Sequence, residues 1–342
     1  MSRLDRLPFA FLLFLIAAPR STADNMKKIY AIVLLCMCSM GLWAQQDILY
    51  TQFMFNKLAH NPGYAGSFES PTLVAVYRNQ WMGLEGAPNA QILSYNQRIL
   101  NNRVGLGGNL SRSSIGITSS LTLDVTYAYR IPFKRGTLSI GLQPSVRYFR
   151  QNWADPRLRA IDQNDLSIPI EPSNKYLPNV GFGAFYTGHK WYAGVAIPRL
   201  VANNIDFSEF GSEISREVQH INAMGGITFH LTEEIDLTPQ ALLRYVFNAP
   251  FDADINVSLM LKRKFYVGAT YRVGGDTNGA GESVDALLGL QATENLFMCL
   301  SYDIGLTRLR KFNNGSVEAT VRWYFNPPAD ISEGNIESPL GY

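Results

Sequence analysis

Residues 121–131 read Leu121-Thr122-Leu123-Asp124-Val125-Thr126-Tyr127-Ala128-Tyr129-Arg130-Ile131. Leu121, Leu123, Val125, Tyr127, Tyr129 and Ile131 share one face; Thr122, Asp124, Thr126, Ala128 and Arg130 share the other. A side-chain period of two is the signature of a β-strand. The same alternation sets Ile255, Val257 and Leu259 against Asp254, Asn256 and Ser258 in 251–262, and Val317, Ala319, Val321 and Trp323 against Glu318, Thr320 and Arg322 in 317–325. In 235–247, Ile235, Leu237, Leu243, Tyr245 and Phe247 share a face. A soluble sandwich also alternates, so one strand decides nothing. Many long alternating strands with no helical pattern between them favour a closed barrel, which leaves no open edge for lipid to meet.

Candidate strands are 72–80, 89–99, 103–113, 119–131, 136–149, 178–188, 190–200, 219–231, 235–247, 251–262, 264–273, 283–293, 295–305 and 316–325. The expected fold is all-β: a transmembrane antiparallel barrel of about 14 strands over 72–325. Every second gap is tight, such as Leu100–Asn102 and Thr232–Glu234, while 150–177, 201–218, 274–282 and 306–315 are long. Outer-membrane barrels have short periplasmic turns and longer external loops. This pattern, with an even strand count, predicts an outer-membrane protein with both termini in the periplasm.

The N-terminus reads as an address. Met26, Lys27 and Lys28 precede an apolar run to Met40, and Ala44 ends a small-residue site before Gln45. Residues 26–44 therefore read as a signal peptide. Residues 1–25 read as a misannotated start or an extra leader, because the run Phe9–Ala18 is too short to span a bilayer. Cleavage removes Cys36 and Cys38 and leaves Cys299 without a disulfide partner. It also removes five basic and two acidic residues, leaving 25 and 26, a net charge of −1. With no basic run among aromatics, nucleic acid is not an expected partner. Residues 326–342, polar and containing three prolines, read as a periplasmic tail.

Residues 45–71 read as a short N-terminal periplasmic segment. The aromatic stretch through Tyr50, Phe53 and Phe55 ends at a turn, Asn61-Pro62-Gly63. Two readings stay open: a segment tucked against the periplasmic mouth, or a partial plug or docking element for a periplasmic partner.

Here a resemblance emerges. The blocks Gln46-Asp47…Tyr50-Thr51-Gln52-Phe53-Met54-Phe55-Asn56…Asn61-Pro62-Gly63-Tyr64-Ala65-Gly66 and Tyr77-Arg78-Asn79-Gln80-Trp81-Met82-Gly83-Leu84-Glu85-Gly86-Ala87-Pro88 carry it. Leu177–Gly183, Trp191–Leu200 and Ser301-Tyr302-Asp303 support it. The chain resembles the PorP/SprF family of type IX secretion system outer-membrane proteins of Bacteroidetes. In Gly315-Ser316-Val317-Glu318 it departs from the family, where a His is expected before the Glu. The resemblance implies a non-enzymatic part in secretion and gliding motility. The implied partners are the lipid bilayer, a secreted adhesin with a C-terminal sorting domain, and periplasmic lipoprotein, peptidoglycan-binding or motor components. Candidate partner-binding residues are Tyr50, Gln52, Phe53, Met54, Asn56, Asn61, Pro62, Tyr64, Trp81, Glu85 and Pro88. Trp81 also suits an aromatic girdle at the outer interface.

An enzyme is not expected. The inward candidates Asp124, Arg130, Arg147, Asp236, Arg244, Asp252, Asp254, Arg272, Asp285 and Asp303 suit a polar lumen. None of His60, His189, His220 and His230 sits in a nucleophile motif, and no metal-ligand or cofactor spacing occurs. The rival reading is a passive pore or fatty-acid-type transporter. A barrel this wide needs a plug or leaves a channel.

Overall fold

The computed structural model describes residues 50–68, 70–158, 171–205, 216–247, 251–274 and 281–326. The expected signal peptide, the leader and, apart from Asn326, the C-terminal tail lie outside these residues, as do the middles of the two longest loops.

The wall is a meander: β1 (Thr72–Asn79), β2 (Asn89–Ile99), β3 (Val104–Ile115), β4 (Thr118–Phe133), β5 (Gly136–Gln151), β6 (Ser173–Gly188), β7 (Trp191–Ile197), β8 (His220–Ile227), β9 (Phe229–Thr232), β10 (Ile235–Val246), β11 (Asp252–Leu261), β12 (Phe265–Val273), β13 (Ser283–Gln291), β14 (Leu296–Gly305) and β15 (Ser316–Tyr324). Each strand pairs antiparallel with its neighbours, and β15 pairs with β1 from Thr72↔Tyr324 to Asn79↔Val317, which closes the ring. β8 and β9 both pair with β10 and form one stave interrupted at Thr228, so the barrel has fourteen staves. The Thr228 hydroxyl lies 3.1 Å from that of Thr238 inside the barrel.

Alternation along the staves sorts side chains between two solvents. On β4, Leu121, Leu123, Val125, Tyr127 and Tyr129 face out, while Thr122, Asp124, Thr126, Ala128 and Arg130 are buried within. Leu142, Val195, Val257, Val267 and Leu300 continue an exposed aliphatic band. Aromatic residues edge it on both sides: Tyr129, Phe133, Trp191, Phe265 and Trp323 near the tight turns, Tyr77, Tyr176, Tyr245, Tyr271 and Tyr302 toward the long loops. An apolar band between aromatic girdles is what a bilayer selects.

The tight turns lie at one end, the longer loops mostly at the other. Lys262 and Arg263 both take positive φ (49° and 51°), and the Lys264 N–H donates to the Leu261 carbonyl. That backbone twist matches a two-residue hairpin. One loop-end connection, Gly116–Ile117, is also tight.

A charge on the outward face should cost stability by depth. Val257→Arg, mid-stave on β11, should lose about 2–4 kcal/mol, and Phe265→Arg, beside a turn, about 0–1 kcal/mol. Denaturant unfolding in lipid vesicles measures both.

Candidate functional site

The inner wall near the long loops is charged, and strand register pairs the charges. Arg78 on β1 faces Glu318 on β15, and Asp254 on β11 faces Arg272 on β12. The Arg78 guanidinium lies 2.9 Å from Glu318 and 2.7 Å from Asp303. Arg244 reaches Asp252 (3.1 Å) and Asp254 (2.8 Å), and Arg272 reaches Asp254 (2.6 Å). Charges withdrawn from water cost several kcal/mol each, so they persist when paired and hydrogen-bonded.

Residues 50–68 enter this network from inside the lumen. The backbone N–H groups of Thr51 and Gln52 donate to the two carboxylate oxygens of Glu318 at 2.8 and 2.9 Å. Successive N–H groups converging on an anion form a nest. The Thr51 hydroxyl donates to Asp303 (2.8 Å) and accepts from Arg78 (2.7 Å). Gln52 Nε2 donates to the Glu318 carbonyl (2.8 Å) and Ser301 (3.1 Å).

From there the chain runs toward the turn end and across the lumen. Phe55 packs edge-on to Tyr266 (5.0 Å) and against Phe297 (4.9 Å). Arg322 donates to the Phe55 carbonyl and lies over the Phe68 ring (4.8 Å). Asn56 donates to Ser94 (2.8 Å), which donates on to Asn109 (2.7 Å). The Lys57 ammonium lies 4.3 Å from the centre of the Tyr192 ring, a cation–π contact in a buried setting. Asn222 donates to the His60 carbonyl (3.1 Å). Asn61 Nδ2 reaches the carbonyls of Ala184 (3.0 Å) and Val195 (3.3 Å), halfway round the ring from Glu318. Its Oδ1 accepts the Gly63 N–H (2.8 Å), capping the short turn Pro62–Tyr64. The segment leaves past Asn96 and Arg98 near the turn end of β2.

The wall makes room for it with glycine. A Cβ at Gly105 would stand 2.0 Å from the Ala65 carbonyl oxygen, at Gly141 2.3 Å from Pro62, and at Gly183 2.2 Å from Asn61 Oδ1. Gly66 itself needs positive φ (72°) where it passes Gly105. The segment is therefore a plug seated backbone-to-backbone on β3, β5 and β6.

A single family signature, type IX secretion system membrane protein PorP/SprF, spans residues 42–323 and so takes in both plug and wall. The chain belongs to the PorP/SprF family. No curated protein matches it in sequence. Solved structures of similar shape include Acinetobacter baumannii Omp33, at 10% identity and TM-score 0.44 over 76% of this chain and 100% of that one. The Ralstonia pickettii toluene transporter TbuX gives 10% identity and TM-score 0.49 over 81% and 94%. The CymD monoaromatic hydrocarbon channel gives 10% and 0.48 over 81% and 94%.

In this PorP/SprF barrel the sequence candidates divide in two. Tyr50, Gln52, Phe53, Met54, Asn56, Asn61, Pro62 and Tyr64 lie in the lumen, their side chains against the wall. Of the two readings left open for residues 45–71, the described part, 50–68, takes the geometry of a plug rather than of a segment at the mouth, its polar backbone and aromatics partnered by the inner wall. The two ends of the described chain also separate. Thr51 sits among loop-end residues, whereas Asn326 follows the turn end of β15 and its carbonyl accepts from Ser70. Parity of strands therefore does not place the start of this chain. Trp81, Glu85 and Pro88 lie in the first loop, apart from the plug. The Gly116 N–H donates to Gly86 (2.9 Å), the Asn314 N–H to Met82 (2.7 Å), and the Gln80 N–H to Pro88 (3.0 Å). Neighbouring loops thus hold it at the rim, with Trp81 at φ 52°.

The sequence reading did not assign roles to Arg78, Glu318 and Arg322, all essentially buried. Their signal was present: they stand on inward faces where a wet pore tolerates smaller polar groups. Of the predicted lumenal charges, Arg244, Asp252, Asp254, Arg272 and Asp303 join the network, and Arg147 pairs with Glu217 (3.0 Å). His60 belongs to the plug, and His230 meets Asp236 at 2.6 Å in an exposed position.

Removing Glu318 orphans two buried N–H groups and unbalances Arg78. Glu318→Ala should cost about 3–5 kcal/mol. Gly141→Val should drive Pro62 from the wall. In both variants trypsin should cut after Lys57, which is fully buried in the parent. Cleavage at that bond, read by mass spectrometry on folded barrel, checks the result. Resistance equal to the parent in both variants would count against the seating described.

Proposed function

We propose that this chain is a fixed station in the outer-membrane part of the type IX secretion and gliding machinery, acting by binding and performing no chemistry. Its partner is the C-terminal sorting domain of a secreted adhesin, or a periplasmic lipoprotein, peptidoglycan-binding or motor component. The observation that carries this reading is the occupied lumen. A passive pore needs a continuous wet path, but the plug crosses from Glu318 to Asn61 and commits buried hydrogen bonds to a wall carboxylate and to wall carbonyls, with five aromatic side chains, to staying there. Such a barrel serves as a rigid support, and specificity then falls to its two rims.

In this reading the tight turns face the periplasm and the long loops face outward, as short turns and long loops do in outer-membrane barrels. Trp81, Glu85 and Pro88 then form part of the outer rim offered to a partner. The plug residues act indirectly, by fixing the wall.

Affinity purification of the tagged mature chain from gently solubilised native membranes tests the proposal. A stoichiometric protein partner is expected. A solitary barrel would favour the pore reading instead.

A further inference from the structure

The loop between β14 and β15 lies against the outside of the barrel and carries three cations. The outward stripe of β14, Leu300, Tyr302 and Ile304, continues past the strand end through exposed Leu306, Leu309 and Phe312. The loop holds one short 3₁₀ turn, Arg308–Phe312, with no buried residue. Its return limb is fastened to the outside of the barrel. The Tyr302 hydroxyl donates to the Asn314 carbonyl (2.8 Å), and a Cβ at Gly315 would stand 2.9 Å from that hydroxyl. Tyr302 itself faces lipid, alternating with buried Ser301 and Asp303.

Residues 304–317 contain Arg308, Arg310 and Lys311 and no acidic residue. The flanking acids, Asp303 and Glu318, point inward and are taken by Arg78. No carboxylate of the described residues pairs with the three cations. The loop is thus an apolar ledge continuous with the lipid-facing band and topped with positive charge that no carboxylate of the described residues neutralises.

We infer that Arg308, Arg310 and Lys311 bind the phosphate groups of a lipid headgroup at the loop-end interface, with Leu309 and Phe312 set among the upper acyl chains. Guanidinium groups bind phosphate through paired N–H donors. Aromatic and basic residues together favour the boundary between chains and headgroups. The inference rests on the membrane topology proposed above. With the loops outward, the headgroup is that of a phosphorylated glycolipid of the outer leaflet.

Native mass spectrometry of the detergent-solubilised mature chain, titrated with bis-phosphorylated lipid A, tests this without reference to orientation or protein partner. The parent should retain lipid A and not phosphatidylcholine. R308Q/R310Q/K311Q should weaken retention on the order of 100-fold, at about a factor of five for each charge, with its heat-modified gel mobility unchanged. Phe312→Ser should weaken it less. Millimolar inorganic phosphate should not displace the lipid. No lipid A on the parent, equal retention by the triple variant, or displacement by free phosphate would each overturn the inference. None of these would bear on the affinity purification, and a solitary barrel there would leave this result standing.

Discussion

The Glu318 carboxylate is the constraint on which the rest of the molecule turns. It is fully buried in the wall of a membrane barrel, where a lone charge is intolerable. Arg78 neutralises it from the neighbouring stave, and the Thr51 and Gln52 N–H groups complete its hydrogen bonding. The dependence is mutual. The plug needs an anion for its first turn, and the anion needs the plug to keep water and orphaned lone pairs away. Thr51 ties this pair to the second cluster, since its hydroxyl lies 3.4 Å from Arg272. The staves that carry both charge clusters are therefore cross-linked through one residue of the plug.

The opposite wall solves a different problem. Near Asn61–Gly66 the plug is held by close backbone approach, by donors such as Asn61 and Arg98, and by Tyr64 edge-on to Phe185 at 5.2 Å. Removing side chains from β3, β5 and β6 lets the plug's carbonyls and short turn lie flat on the sheet. One side of the lumen thus holds by charge and the other by shape. Together they make the interior resemble a protein core more than a channel.

Most of the wall was legible because lipid enforces the period-two rule on every stave. Asn89–Ile99 coincides with its expected bounds, and Ile235–Val246 falls one residue short. β6 begins at Ser173 rather than 178, because β5 continues to Gln151 and pairs with it there; Pro178, read as a strand start, sits within the ladder. The break at Thr228 was not visible, since the residues around it still look strand-like. The plug resisted reading for a better reason. It has no period, and its partners lie up to 267 residues away. Its glycine seats, Gly105, Gly141 and Gly183, carry no side chain whose pattern could mark them, and only the backbone pressed against them gives them meaning. A segment that threads the lumen also defeats inference from strand parity, which counts only the wall.

The central claim is that the plug closes the barrel. Planar-bilayer conductance of the mature chain, beside the same chain lacking residues 45–68, tests it most directly. The account predicts a silent parent and a deletion variant that opens steady ion-conducting pores. A parent that conducts as well as the deletion variant would contradict it.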